Sequence, residues 1–424
     1  MKTIITIIGL CFAFTVHAQE YGKYFENKTL RLDYIFSGNA NVQEISLDDC
    51  IEYPKWDGRT HRLSELPLKG NGVIEVKDQA TNDLIYTNSF SSLFQEWLDS
   101  DEAKQTRRAF ENTFLVPMPK KKVLVHIRLY NTKQVEIASF MHSVNPRDIL
   151  IAKKGYEKIT PYRIVHKGKV QNPINVAILA EGYTAGELPR FYEDAQKAVE
   201  SILKHEPFRS QNGKFEFLAV GSTSLDSGVT VPHKDDWRIT AFGSHFDTFY
   251  SERYLTTRNV KAVHNALAGI PYEHIIILAN TAQYGGGGIY NSYTLTTTRH
   301  PDFAPVVVHE FGHSFGGLAD EYFYEGDVLS DIYALDVEPW EQNITTKVNF
   351  KSKWQDMLKK DTPVPTAPQD KDKYPVGVYE GGGYASKGIF RPAYDCRMRT
   401  NEHPEFCPVC QRALKRLIEF YTND

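Results

Sequence analysis

Past its first residues the chain has no long apolar run, and it holds only five cysteines in 424 residues. The first absence excludes a membrane-spanning helix beyond the leader, because a bilayer crossing needs roughly 20 consecutive apolar residues. The second leaves room for two covalent bridges at most, so the fold has to rest on packed cores. An apolar fraction of 41%, with 24 Tyr and 24 Phe, is enough for two of them. Neither sign of charge dominates: 49 basic against 53 acidic side chains give a formal net charge of −4. With both signs scattered there is no basic stripe for nucleic acid and no polybasic patch for a membrane surface.

The chain opens Met1-Lys2-Thr3, stays apolar from Ile4 to Val16 and reaches His17-Ala18, the pattern of a signal peptide cut after Ala18. Residues 1–18 are therefore expected to be removed, and the mature protein to be exported to a periplasmic, cell-surface or extracellular location. Cys11 follows Leu10, where a lipid-anchor signal wants a small residue. Cys50, Cys396, Cys407 and Cys410 remain, an even number in an oxidising compartment.

Residues 19–145 read as an all-β, sandwich-like domain. Leu30, Leu32, Tyr34 and Phe36 alternate with polar residues, as do Val123, Val125, Ile127 and Leu129, and Gly70-Asn71-Gly72 marks a turn between strands. No catalytic constellation stands out there, and His126 reads as structural. A polar connector covers 146–173. From 174 the pattern changes to α/β: Ile174 to Ala180 is a continuous apolar run expected as a central strand. Leu188, Phe191, Ala195, Val199 and Ile202 then recur at helical spacing until Pro207, and Phe215–Val220 and Ile275–Ala279 supply further strands. The stretch from Glu338 to Lys373 reads as an insertion or long surface loop, and its sequon Asn343-Ile344-Thr345 receives no role.

The chemistry concentrates in His309-Glu310-Phe311-Gly312-His313. Residues four apart share one helix face, so His309 and His313 can aim a ring nitrogen at one ion while Glu310 projects toward its water. Val306-Val307-Val308 and Phe311 make the helix apolar, and two imidazoles and a carboxylate in a largely buried helix need compensation, which a zinc ion provides. A catalytic zinc takes three protein ligands and leaves one position open. Gly316-Gly317 can turn the chain back, and Asp320 and Glu321 come next as carboxylates; Asp320 is the expected third ligand.

These residues resemble the metzincin metallopeptidases, whose pattern is His-Glu-x-x-His-x-x-Gly-x-x-His or Asp. Counting from Gly316 puts the third ligand on Ala319, which cannot bind metal, and counting from Gly317 puts it on Asp320. One extra helical residue before the turning glycine reconciles the two. Cys396-Arg397-Met398-Arg399 looks like the metzincin Met-turn, with Met398 an apolar floor beneath the imidazoles. Together with Ala177-Ile178-Leu179-Ala180-Glu181-Gly182-Tyr183-Thr184, the set is similar to the IgA-peptidase family of zinc metallopeptidases, M64. The resemblance runs from about Asn175 to the C-terminus. It implies an α/β (α+β) metzincin-like peptidase domain over 174–424, with a twisted sheet and an active-site helix, preceded by a β-rich domain. The family's name does not assign immunoglobulin to this chain as substrate.

The expected function is therefore that of a secreted, zinc-dependent metallopeptidase, an endopeptidase cutting within chains of a protein or peptide substrate. Zn²⁺ acidifies a water and Glu310 acts as general base and then acid. Cys396 can join Cys407 or Cys410 in a disulfide beside the floor, which export favours; the rival is a structural zinc held by Cys396, His403, Cys407 and Cys410. Gly286, Gly287 and Gly288, followed by a Thr-rich strand, are the expected edge where substrate adds as a strand. Thr400 stands where some metzincins carry a tyrosine, so the oxyanion donor is left among Tyr394, Tyr322 and His300. Two other readings share these residues: an exported binding or adhesion protein with an inactive zinc site, and a zinc amidase acting on cell-wall peptides.

Overall fold

The computed structural model describes residues 21–323 and 332–423. The expected signal peptide, 1–18, lies outside the described residues. After a single turn α1 (Tyr21–Tyr24), the N-terminal part runs β1 (Phe25–Gly38), β2 (Gln43–Tyr53), β3 (Gly72–Asp78), β4 (Leu84–Phe90), α2 (Leu93–Leu98), β5 (Arg108–Pro119), β6 (Val123–Tyr130) and β7 (Glu136–Val144). Two four-stranded sheets result, ordered β5-β1-β2-β8 and β4-β3-β6-β7, where β8 is Ala152–Lys153.

Period-two patterning sets these strands. β6 alternates between buried and half-buried positions along its length, as a strand with one core face does. β1 departs from that pattern, because Arg31 and Asp33, on the face opposite Leu30, Leu32 and Tyr34, are also buried. Arg31 pairs with Asp33 and donates to Tyr53 Oη and to Asn265 Oδ1 at 2.8 Å, so the polar face of β1 lies against the second half of the chain. Charge pairing and hydrogen bonds make that burial tolerable.

The second half is built on one six-stranded sheet ordered β13-β14-β12-β10-β11-β9. Its strands are β9 (Tyr162–His166), β10 (Ile174–Glu181), β11 (Phe215–Val220), β12 (His274–Ala279), β13 (Gly286–Ile289) and β14 (Tyr293–Thr297). β10 pairs in parallel with β11 and β12, and β12 in parallel with β14, while β9 and β13 close the two edges antiparallel. β10 is buried at every position, as its continuous apolar run requires. The connector is thus not a plain linker: β8 joins the first sheet and β9 the second.

Among the described residues four α-helices flank this sheet: α3 (Leu188–Leu203), α4 (Val260–Ala266), α5 (Phe303–Ser314) and α6 (Pro408–Thr422). α3 comes after a capping box in which Thr184 and Glu187 satisfy each other's groups, and its apolar stripe packs with α5 and α6 in one core around Phe208, Phe311, Phe315 and Leu414. A hairpin of β15 (Tyr379–Gly382) and β16 (Ala385–Arg391) completes the fold. The stretch from Glu338 to Lys373 is more than a surface loop, because Trp354, Ile344 and Asn343 within it are fully buried. Among the described residues no helix is long and apolar enough to cross a membrane.

Candidate metal centre

α5 carries His309, Glu310 and His313, and the way it ends sets the path of the loop beyond it. Gly317 takes φ +56°, and its amide bonds to His313 O at 2.9 Å, the left-handed stop that glycine adopts without a steric penalty. The turning glycine is therefore Gly317 and not Gly316, and three residues on stands Asp320.

The chain returns beneath the helix. His309 Nε2 lies 3.0 Å from Asp320 Oδ1, His313 Nε2 lies 3.2 Å from the same oxygen, and the two Nε2 atoms are 3.0 Å apart. A tetrahedral ion with bonds of about 2.0–2.1 Å has ligand–ligand edges of about 3.3 Å, so the spacing fits. The hydrogen bonds around the triad agree. His309 Nδ1 faces Arg397 O at 3.0 Å and His313 Nδ1 faces Leu318 O at 2.6 Å. A carbonyl oxygen only accepts, so both Nδ1 atoms carry protons and, in the neutral rings, both Nε2 lone pairs point inward. Three lone pairs converging on one point need positive charge among them.

The titration directions express the same need. Burial disfavours charge on His313, yet the Asp320 carboxylate outweighs it and lifts the ring to about 9. His309 is raised for the same reason against the same burial. Burial also opposes ionisation of Asp320, but the two imidazoles hold its carboxyl far below the usual range. A divalent cation held between the three side chains would supply that positive charge in the middle.

Glu310 is half-buried, and among the described residues no side chain or amide donates to its carboxylate. Burial raises its pKa, partly offset by the neighbouring imidazoles. β13 lies directly against it. A Cβ on Gly286 would stand 2.7 Å from Glu310 Oε1, and one on Gly288 would collide with Glu310 O and stand 2.8 Å from His313 Cβ. The glycines therefore let the strand reach the helix. The outer side of Gly286 is already paired with 253–255, through Gly286 N to Arg253 O at 3.2 Å and Leu255 N to Gly286 O at 3.3 Å. The Thr-rich strand expected to offer unpaired groups is β14, which is interior, with β12 and β13 on its two sides.

Met398 is fully buried beneath α5, where a Cβ on Gly312 would lie 2.7 Å from its sulfur. The turn around it closes through Arg399 N to Cys396 O at 2.8 Å, presents Arg397 O to His309, and accepts the Glu321 amide on Met398 O at 2.8 Å. One turn thus supports a ring, the helix backbone and the loop bearing Asp320.

Sequence reasoning missed two residues here. Tyr384 Oη donates to Asp320 Oδ2. Gly383 and Tyr384 form the two-residue hairpin turn with φ +55° and +66°, and this conformation aims the phenol at Asp320. The Gly381–Gly383 run hinted at a turn but not at its tyrosine. Asn343, given no role as a sequon, is fully buried. It clamps the loop bearing Asp320 by accepting from Ala319 N and donating to Ala319 O, both at 2.8 Å, and by donating to Glu321 Oε1 at 3.0 Å. Of the three oxyanion candidates, Tyr322 has its ring stacked 6.5 Å from that of His309. His300 packs against Tyr284, and Tyr394 against Tyr379 and Arg399.

Glu321 faces away from the triad toward the cysteines. The Cys396 and Cys410 sulfurs are 3.9 Å apart and unbonded, and Cys407 adjoins them. His403, in the rival zinc set, instead has Nδ1 against Glu405 O at 2.6 Å. Cys50 is half-buried on β2.

Comparison with known families gives two matches. The profile described as IgA Peptidase M64 matches residues 163–375 and 368–418, and the profile described as Peptidase M64 N-terminus matches residues 20–141. No curated protein matches the chain.

Proposed function

The chain belongs to the IgA Peptidase M64 family and is a peptidase, and from that premise we propose that it is an exported zinc endopeptidase whose centre is His309, His313 and Asp320, with Glu310 as base. The observation that carries this reading is the convergence of three ligand atoms within 3.2 Å, each side chain held from behind by Arg397 O, Leu318 O or Tyr384 Oη. A zinc ion held there supplies an acidified water and a polarising centre for the scissile carbonyl. Glu310, whose pKa burial raises, takes the proton of the attacking water and delivers it to the leaving amine. Tyr322 is the preferred oxyanion donor because its ring borders the His309 ligand. The metzincin-like arrangement of helix, left-handed glycine, acidic third ligand and methionine floor is part of the same proposal. So is the division into a β domain over 19–145 and a catalytic domain over 174–424. Substrate enters beside β13, along its outer edge at Gly288.

The test is Glu310→Gln, which keeps the size of the side chain and removes its basicity. Zinc content is expected to match the wild type, with turnover of a fluorogenic peptide library about 10²–10⁴-fold lower. Wild-type turnover in the variant would remove Glu310 from the mechanism.

A further inference from the structure

Behind the triad lies a second convergence that the peptidase chemistry does not use. One carboxylate oxygen of Glu321 and the sulfurs of Cys396, Cys407 and Cys410 all lie within 4.8 Å of one another, and all four residues are buried. They come from three segments: the loop after Asp320, the turn before Met398 and the start of α6. Cys410 Sγ lies 3.0 Å from Glu321 Oε1, while Glu321 Oε2 is buried with no hydrogen-bond partner among the described residues. A fully enclosed carboxylate with an unsatisfied oxygen is costly unless something positive belongs beside it.

The sulfur geometry indicates what that is. Cys396 and Cys410 Sγ are 3.9 Å apart, against about 2.05 Å for a disulfide and about 3.75 Å for the edge of a tetrahedron with metal–sulfur bonds of about 2.3 Å. A disulfide between any two would leave the third thiol and the orphaned oxygen unexplained. Cys407 and Cys410 sit at the opening of α6 with two residues between them, where the helix N-terminus favours negative charge, and Cys407 N donates to Cys396 Sγ at 3.1 Å. The Arg391 guanidinium is close enough to interact electrostatically with Glu321. These groups offset the excess negative charge of three thiolates and a carboxylate around a dication.

We propose that Glu321, Cys396, Cys407 and Cys410 form a closed structural site for a second Zn²⁺. Soft sulfur donors select zinc over magnesium or calcium, and four protein ligands leave no open position, so the site is structural and not catalytic. The ion displaces the thiol protons on binding. It ties the residue after Asp320 to the turn that carries Met398, and both to α6, so the floor and the third ligand of the triad share one anchor.

The test reads metal and not proteolysis, which separates it from the peptidase reading. The full chain, produced with zinc and purified without oxygen, is expected to carry about two zinc ions, and the His309→Ala/His313→Ala variant about one. X-ray absorption of that variant is expected to show zinc with sulfur neighbours at about 2.3 Å. Adding Cys407→Ser is expected to remove that ion. A double variant free of zinc, or holding it through nitrogen and oxygen alone, would overturn the site. So would an intact mass two hydrogens short, with Cys396 bridged to Cys407 or Cys410. If the variants do not fold, the wild-type spectrum decides: it must average about 1.5 sulfurs per zinc, and a spectrum without sulfur refutes the proposal.

Discussion

Replacing Tyr384 with Phe removes one hydroxyl and retains the ring, including its edge-on contact with Tyr322 at 5.2 Å. That hydroxyl donates to Asp320 Oδ2, while Oδ1 faces the two imidazoles at 3.0 and 3.2 Å. Asp320 is 7% exposed, so little water is at hand to replace the phenol. A hydrogen bond to a charged group contributes about 1.5–3 kcal/mol, which at about 1.4 kcal/mol per decade is roughly 10–150-fold in zinc affinity. The loop remains anchored by Gly383 N on Asp320 O at 2.8 Å, so the carboxylate keeps its place and the lower part of that range, about 10–30-fold, applies. Competition against a chromophoric chelator measures the zinc Kd, and peptide turnover at saturating zinc measures the catalytic competence that remains. The expected result is a weaker Kd with kcat within a few-fold of wild type. An unchanged Kd with kcat reduced about 100-fold or more would refute the reasoning and make Tyr384 a group that meets the reacting carbonyl.

Gly286→Ala places a methyl group 2.7 Å from Glu310 Oε1 and 2.9 Å from its Cγ. Displacing the base is expected to cost about 10²-fold in kcat, with zinc content unchanged, and full turnover would show that the base has room to move. Stability is also expected to fall with rising pH. Glu273 lines a cavity bordered by β1, β3, β4, β5 and β12 that shares no lining residue with the triad, and burial pushes its carboxyl up to about 8. Because the folded value lies above the unfolded one, its contribution is complete below the ordinary carboxylate range and is lost as pH climbs through about 8. Thermal melts between about pH 6 and about pH 9 are expected to show this loss, and Glu273→Gln to flatten it; an equal slope in the variant would exclude Glu273 as its source.

Patterns that depend on neighbours in sequence were legible. The strand period of β6, the unbroken apolar run of β10 and the helical stripe of α3 each arise from local backbone geometry and one buried face. The same holds for His309, Glu310 and His313, because i and i+4 share a face wherever a helix forms. Asp320 was readable at one remove, through a glycine whose left-handed φ resets the count. The β1 pattern misled in part, because Arg31 is buried against Asn265, over two hundred residues away in sequence, and Asp33 against Arg31 and Thr113. Asn343 and Tyr384 likewise showed no local signal of their roles, since what each touches lies on another segment.

The sequence alone determined the local chemistry: two imidazoles and a carboxylate on one turn of helix, and a glycine pair to end it. Tertiary structure decided which of two adjacent acids faces which cluster. Successive side chains in an extended loop point to opposite sides, so Asp320 meets the histidines and Glu321 the cysteines. Whether that loop runs between the two clusters depends on where Met398, Asn343 and α6 are packed, and those contacts exist only once the chain has closed on itself.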